Sequence, residues 1–282
     1  MSRQRLGQHF LANASWRARI AKTLASRPED VWVEIGAGHG EMTEFLARIV
    51  HRVVAIETDA ALATRLRDRA AAWPNVEIVH ADALTLDLAA LGGKRFRVYG
   101  NLPYYITSPI LHHLFQFAET IESIHIVIQL EVASRIASCP GRRAYGYLSA
   151  LCQYFARPEI VLRIPPGAFR PPPKVSSALV KMSLPGERAT LGIADDDSFL
   201  EFIQRSFAHK RKTLLNNWRN VFSEAAISNA FALGKLKHNV RAEELSLVQF
   251  AGLFNLLTKT GESISRGQAT KTHRAAGRDN LS

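Results

Sequence analysis

Val31-Trp32-Val33-Glu34-Ile35-Gly36-Ala37-Gly38-His39-Gly40 decides the fold. A short apolar run stops at closely spaced glycines, and Glu41 to Val50 then takes up helical spacing. Strand, glycine turn and helix in that order open a parallel α/β unit, with the turn at the carboxyl end of its strand. The same alternation continues outward from this stretch. Strands are expected at Arg52 to Ile56, Val76 to His80, Phe96 to Tyr99 and Ile124 to Leu130. Helices are expected at Ser15 to Ala25, Leu62 to Ala72 and Pro109 to Phe117. Such a chain folds as an α/β protein with a parallel sheet covered on both faces.

The pattern changes after Leu130. Ile160 to Ile164 and Val175 to Met182 read as strands flanking the proline-rich stretch Pro165 to Pro173, a hairpin closing the sheet edge. Pro185-Gly186 marks a break. Phe199 to Phe207, Leu214 to Phe222, Ala225 to Leu233 and Leu245 to Leu257 then have helical spacing. The expected organisation is an α/β domain over 1–185, a small all-helical domain over 186–262 and a disordered basic tail over 263–282.

Composition narrows the class. Of 282 residues, 47% are hydrophobic and 22% charged, which excludes a wholly disordered or low-complexity chain. No apolar stretch approaches the ~20 residues of a membrane span, and Met1 to Phe10 has no apolar signal region. Cys139 and Cys152 lack metal spacing and suggest a reduced compartment, so a cytoplasmic protein without metal is expected. Lys and Arg number 36 against 25 Asp and Glu, a net +11 that suits a polyanionic partner. Within the helical segment Arg205, Lys210, Arg211, Lys212 and Arg219 form a run with no acid between them, and Asp195, Asp196 and Asp197 precede it, where a helix N-terminus favours acids. Lys210, Arg211 and Lys212 are therefore candidate nucleic-acid contacts.

In an open α/β sheet ligands lie beyond the carboxyl ends of the strands. Four successive strand ends here carry glycine or polar motifs: Gly36 to Gly40, Glu57, Asp82, and Asn101 to Tyr104. The glycine spacing departs from G-x-G-x-x-G, and Glu41 stands where a small residue would follow. A carboxylate at that helix start repels a pyrophosphate, and Glu34 adds negative charge. The loop instead suits a cationic or zwitterionic ligand, and S-adenosylmethionine fits. Glu57 at the second strand end can accept from ribose hydroxyls, and Asp82 at the third from an adenine amino group. Taken alone, Glu57 also reads as a solvated strand-end acid and Asp82 as a helix cap ahead of Ala83 and Leu84.

Asn101-Leu102-Pro103-Tyr104 is the most specific signal. An adenine amine is a poor nucleophile, because its lone pair is delocalised into the ring. Accepting both of its N–H groups in a near-tetrahedral arrangement restores the lone pair, and the Asn101 side-chain oxygen and Leu102 carbonyl are the acceptors on offer. Pro103 stiffens the turn, and Tyr104 offers a flat face to the base.

Together these stretches resemble the class I methyltransferases, and within them the ribosomal RNA adenine dimethyltransferases. Leu6-Gly7-Gln8-His9-Phe10-Leu11 is similar to that family's N-terminal motif, and Glu34 to Gly40 to its methionine-binding loop. Asn101-Leu102-Pro103-Tyr104-Tyr105-Ile106 is similar to its catalytic motif, and Phe169-Arg170-Pro171-Pro172-Pro173-Lys174-Val175-Ser176-Ser177 to its late motif, which marks the small-subunit branch, the KsgA family. The resemblance implies a Rossmann-like class I methyltransferase sheet with a small C-terminal all-helical domain. It implies S-adenosyl-L-methionine as cofactor, released as S-adenosyl-L-homocysteine, and cofactor contacts from His9, Leu11, Gly36, Gly38, Glu57, Asp82, Ala83 and Asn101. His9 stands where many members have Asn, and Tyr105 where some have Asn.

The implied reaction is in-line dimethylation of two adjacent adenosines in a hairpin loop near the 3′ end of 16S rRNA, within the small ribosomal subunit or its precursor, by a monomer. Tyr104 on one face and Phe169 on the other would clamp the flipped base, although Phe169 also reads as a core aromatic beside the proline run. The rival readings are a 23S rRNA dimethyltransferase, a DNA adenine methyltransferase and a non-catalytic RNA-binding assembly factor. The late motif argues against the first, and Leu102 in place of proline against the second.

Overall fold

A computed structural model of the chain describes residues 9–259. The motif residues Leu6 to Gln8 and the 263–282 tail lie outside the described residues. The strands are β1 (Phe10–Leu11), β2 (Val31–Ile35), β3 (Arg52–Glu57), β4 (Val76–His80), β5 (Phe96–Asn101), β6 (Ile121–Gln129), β7 (Arg157–Ile164), β8 (Phe169–Arg170) and β9 (Ser177–Ser183). Seven of them form one sheet in the order β4-β3-β2-β5-β6-β9-β7. The first five positions are joined in parallel, while β9 runs antiparallel to both β6 and β7. The β2-to-β4 half of the chain builds outward on one side of β2, and β5 starts the other side. The order therefore reverses between β2 and β5, the point where α/β sheets bind ligands.

Burial explains the strand sequences. Val53, Val54, Ala55 and Ile56 of β3 are all at most 1% exposed, as a strand covered on both faces requires. The edge strand β7 accommodates Pro158, whose missing N–H costs nothing on an open side. The expected hairpin of β7 and β9 is present, but β9 lies inside the sheet between β6 and β7. Its Ser177, Ala178, Leu179 and Val180 are fully buried.

Helices Leu88–Gly92, Leu130–Ile136 and Tyr147–Phe155 carry no expectation from the sequence. In the last, Ser149, Ala150, Leu151, Cys152, Tyr154 and Phe155 are all buried.

The chain divides into two compact units between Ala194 and Asp195, and Glu243–Leu247 groups with the first. That division falls later than the break expected at Pro185-Gly186. The reason is local. The Gly186 N–H donates to the Phe155 carbonyl at 2.8 Å and the Glu187 N–H to Gln153 at 3.1 Å, while Arg188 pairs with Glu119. These bonds tie the segment after the proline to the first unit.

In the second unit, helix Asp196–Ser206 is capped by Asp195, with Asp196 and Asp197 in its first turn. Its Phe202 ring lies 4.9 Å from Trp218 and 5.6 Å from Phe254. Helices Leu214–Trp218 and Glu224–Leu233 complete the aromatic core through Trp218 and Phe231.

Candidate active site

The carboxyl ends of β2, β3, β4 and β5 surround one cleft, about 900 Å³ of space with its open mouth included. Nine of the expected residues line it: His9, Gly36, Gly38, Glu57, Asp82, Ala83, Asn101, Leu102 and Pro103. Gly36, Glu57 and Asn101 meet because parallel strands end on the same side of the sheet, while His9 is brought there by the pairing of β1 with β8.

The glycine loop is built by φ angles of +72° at Gly36, +59° at Gly38 and +80° at Gly40, a region that side-chain-bearing residues rarely adopt. A Cβ at Gly38 would stand 3.1 Å from the Phe10 ring, whereas one at Gly36 would meet no atom within 4 Å. Alanine at Gly36 would take up open space beside the cleft that Gly36 lines.

Glu57 is 3% exposed, and its two oxygens each accept one backbone N–H, from Gly38 at 2.8 Å and Asp59 at 2.9 Å. A carboxylate has about four acceptor positions, so capacity remains for a ligand's hydroxyls. Asp82 is exposed and caps the 3-10 turn Ala83–Thr85 by accepting from the Leu84 N–H at 3.0 Å. The capping role and a place on the cleft wall coexist. Asn101 ends β5 and donates its Nδ2 to the His9 carbonyl at 2.8 Å. The following turn is closed by the Ile106 N–H on the Pro103 carbonyl at 3.1 Å.

Three expectations require correction. Phe169 is 3% exposed, packs in the core cluster that includes Leu11 and Tyr99, and does not line the cleft. The expected clamp on a base from Phe169 is not built in this geometry, because β8 turns the ring inward. Leu11, expected as a cofactor contact, is buried in the same cluster and likewise does not line the cleft. Glu34, expected to add negative charge, is 3% exposed and accepts from the Thr43 hydroxyl at 2.7 Å. Burial pushes its carboxyl up to about 8, with Glu41 and Glu57 adding to the shift against the Thr43 bond. Desolvation thus disfavours the charge of Glu34, which braces helix Glu41–Ala47 through Thr43. For Tyr104 the backbone alone is described, in the turn Tyr104–Ile106, so its stacking face lies outside what is described.

The sequence reading missed the apolar walls. Ile35 and Ile56 are the last apolar residues of their strands, and Ile106 and Ile110 stand one helical turn apart at the start of helix Thr107–Phe115. That i, i+4 pair was legible as a face. Phe10, whose ring lies 4.7 Å from His39, was not, since only its pairing with Arg170 brings it there. Tyr105, 73% exposed, also lines the cleft.

The donor set fits a zwitterionic adenosyl ligand. Among the described residues no Lys or Arg lines the cleft, while a buried carboxylate and a glycine loop do. A pyrophosphate would find no cation there, but a sulfonium and an amino-acid group meet no charge conflict. No group of three or more potential metal ligands is found among the described residues, and none of their helices is long and apolar enough to cross a membrane. In the second unit Lys210, Arg211 and Lys212 are all exposed in the turn after helix Asp196–Ser206, and Arg205 is paired with Glu201 at 2.7 Å.

A family model described as ribosomal RNA adenine dimethylase matches residues 1–259. The ribosomal RNA small subunit methyltransferase A of Acidobacterium capsulatum is 43% identical over 256 residues, 90% of each chain. The protein of that name from Koribacter versatilis is 39% identical over 269 residues, 90% of this chain and 94% of its own. Among solved structures, a dimethyladenosine transferase from Plasmodium falciparum shares the fold with TM-score 0.75 at 23% identity, over 91% of this chain and 100% of the other. The 23S rRNA methyltransferase ErmE has TM-score 0.66 at 27% identity, over 88% and 99%. With a switch-point cleft, a glycine loop followed by an acid at the next strand end, and a family match across nearly its whole length, the chain belongs to the ribosomal RNA adenine dimethylases, on a class I methyltransferase fold.

Proposed function

We propose that this chain dimethylates the N6 amino groups of two adjacent adenosines in a hairpin loop near the 3′ end of 16S rRNA, as part of small-subunit biogenesis in the cytoplasm. The observation that carries the reading is the placement of Asn101-Leu102-Pro103 in a cleft that no described Lys or Arg lines. The small-subunit name of the relatives that match over 90% of the chain supports the substrate class.

When bound, S-adenosylmethionine supplies an electrophilic methyl group on a good leaving group, so no strong base is required of the protein. Glu57 holds the ribose hydroxyls, and Asp82 with Ala83 meets the cofactor's adenine. His9, Gly36 and Gly38 shape the amino-acid end. Asn101 Oδ1 and the Leu102 carbonyl accept the two N–H groups of the target amine and so localise its lone pair. Pro103 keeps the two acceptors in register, and Tyr104 stacks on the extruded base. Lys210, Arg211 and Lys212 of the helical unit contact rRNA phosphates and orient the substrate as the first unit does the chemistry.

The test is incubation with labelled S-adenosylmethionine and, separately, under-methylated 30S particles, naked 16S rRNA, 23S rRNA and DNA. N6,N6-dimethyladenosine in the 16S rRNA of the particle is expected. Label confined to 23S rRNA or DNA would overturn the proposal.

A further inference from the structure

The proposed chemistry gives no role to the late motif that begins at Phe169, and it gives the N-terminal segment only the place of His9 beside the cofactor. The structure joins them. Phe10 and Leu11 of β1 pair antiparallel with Arg170 and Phe169 of β8, across nearly 160 positions of sequence. The Asn13 N–H donates to the Ala168 carbonyl at 3.1 Å. His9 Nδ1 lies 2.7 Å from the Pro171 carbonyl. A carbonyl only accepts, so Nδ1 carries the proton in this bond. On the other side the Arg17 guanidinium donates to the carbonyls of Leu11 at 3.3 Å and Ala12 at 3.2 Å. The side chains of Leu11 and Phe169 are buried in one core cluster, which anchors both strands.

The segment held this way presents the His9 carbonyl to Asn101 Nδ2 at 2.8 Å. The same rule fixes the amide. Only the NH₂ can face a carbonyl, so Oδ1 is turned the other way. The distinction matters for catalysis: an Asn101 flipped by 180° would offer a donor to an amine from which it must accept. We infer that His9–Leu11 is a positioning strap, clasped by residues 169–171, whose His9 carbonyl sets the Asn101 amide with its oxygen toward the reacting amine. The inference rests on the proposed acceptor role of Asn101. It also makes the buried Phe169 an anchor for the clasp, and it accounts for His at position 9. Imidazole Nδ1 and an Asn amide can both donate to the Pro171 carbonyl.

The experiment is a cycle of His9→Ala and Asn101→Ala, with His9→Asn as the conservative variant and thermal melting to establish folding. Turnover is measured at saturating S-adenosylmethionine and rRNA, since His9 lines the cofactor cleft. His9→Ala should lower kcat about tenfold to a hundredfold, the scale of a misplaced reacting group. His9→Asn should stay within about threefold of wild type, and in the Asn101→Ala background His9→Ala should change kcat by less than about twofold. Equal losses in both backgrounds, or an unchanged kcat in His9→Ala, would overturn the strap.

A second readout needs no RNA. In ¹⁵N-labelled protein the Asn101 side-chain amide, identified by its absence from Asn101→Ala, should exchange slowly in wild type and His9→Asn and at the solvent rate in His9→Ala. Solvent-rate exchange in wild type refutes the clasp. A wild-type enzyme inactive on every RNA refutes the proposed function, and the exchange measurement still decides the strap.

Discussion

The two ends of the same sheet use similar side chains to opposite purposes. At the amino ends of the strands, Arg97 is 7% exposed and commits four of its five N–H donors: to Asp30 at 2.7 Å, the Leu24 and Ala25 carbonyls at 2.7 and 3.1 Å, and the Ser123 hydroxyl at 3.1 Å. Its guanidinium lies over the Trp32 ring, 4.4 Å from the centroid. Asp30 in turn accepts from the Arg27 backbone and side chain. At the carboxyl ends, Glu57 is as deeply buried as Asp30 but accepts a single backbone N–H on each oxygen. A saturated network holds the sheet together, whereas a partly saturated one keeps capacity for a ligand. Buried charge is a poor guide to function until its partners are counted.

The largest effect is expected where saturation is broken. Arg97→Ala leaves Asp30 buried beside a vacated site and should cost about 3–5 kcal/mol of stability, the scale for halving a buried pair. Urea unfolding measures the loss, and S-adenosylmethionine affinity of the folded fraction should be unchanged. A shift below 1 kcal/mol, on the order expected of an exposed pair, would erase the contrast between the two ends. The pH dependence has a definite sign. Burial alone would raise the Asp30 pKa, but the Arg27 backbone N–H and the Arg97 and Arg27 side chains outweigh it and hold the carboxyl below its usual range. The stabilisation is therefore complete above the unfolded carboxylate value of about 3.9 and is lost as pH falls through the lower folded value. The gap between wild type and Arg97→Ala should narrow in that acid window.

At the other end the effects should appear in chemistry and binding rather than in stability. Asn101→Ala should remain folded and bind rRNA, yet turn over about 10²–10³ more slowly at saturating cofactor, equivalent to about 2.7–4 kcal/mol of lost transition-state stabilisation. Single-turnover methyl transfer measures this, and a near-normal rate would remove Asn101 from the reaction. Glu57→Gln comes next. It keeps the shape but gives up charge and half of the acceptor capacity, so S-adenosylmethionine binding should weaken by about 1.5–3 kcal/mol. Calorimetry that finds equal affinity would show that the spare capacity of Glu57 serves no ligand.

This contrast also decides what the sequence could reveal. The carboxyl-end site was legible because each of its groups adjoins a strand whose apolar run is visible, and chain order alone places those ends together. Val76 to His80 was read to the residue, and Glu57, Asp82 and Asn101 line the cleft. A core place for Phe169 was one open reading, but the pairing that sets it there was not legible, since β1 meets a segment far along the chain. Nor was the insertion of β9 between β6 and β7, because period-2 spacing gives a strand but not its neighbours. Glu34 looked like a charge because a sequence shows the residue type and not the desolvation that disfavours its charged form.

The smallest effect is expected for charges that belong to neither end. Lys210, Arg211 and Lys212 are exposed, and among the described residues none of them forms an ion pair. Cations without partners suit either a solvated turn or a phosphate-contacting surface, and the two readings part on salt. A solvated turn predicts rRNA affinity and salt dependence equal to wild type when all three become alanine. If instead each neutralises one phosphate, the triple variant should flatten the slope of log K against log salt by about 2–3 units, because fewer counterions are released. Affinity would then fall most at low salt and converge on wild type as salt rises. Cofactor affinity and kcat at saturating substrate should not move, since the cleft is built entirely from the first unit. An unaltered slope would return these residues to the solvated turn, and a fall in kcat would mean that the helical unit does more than hold the RNA.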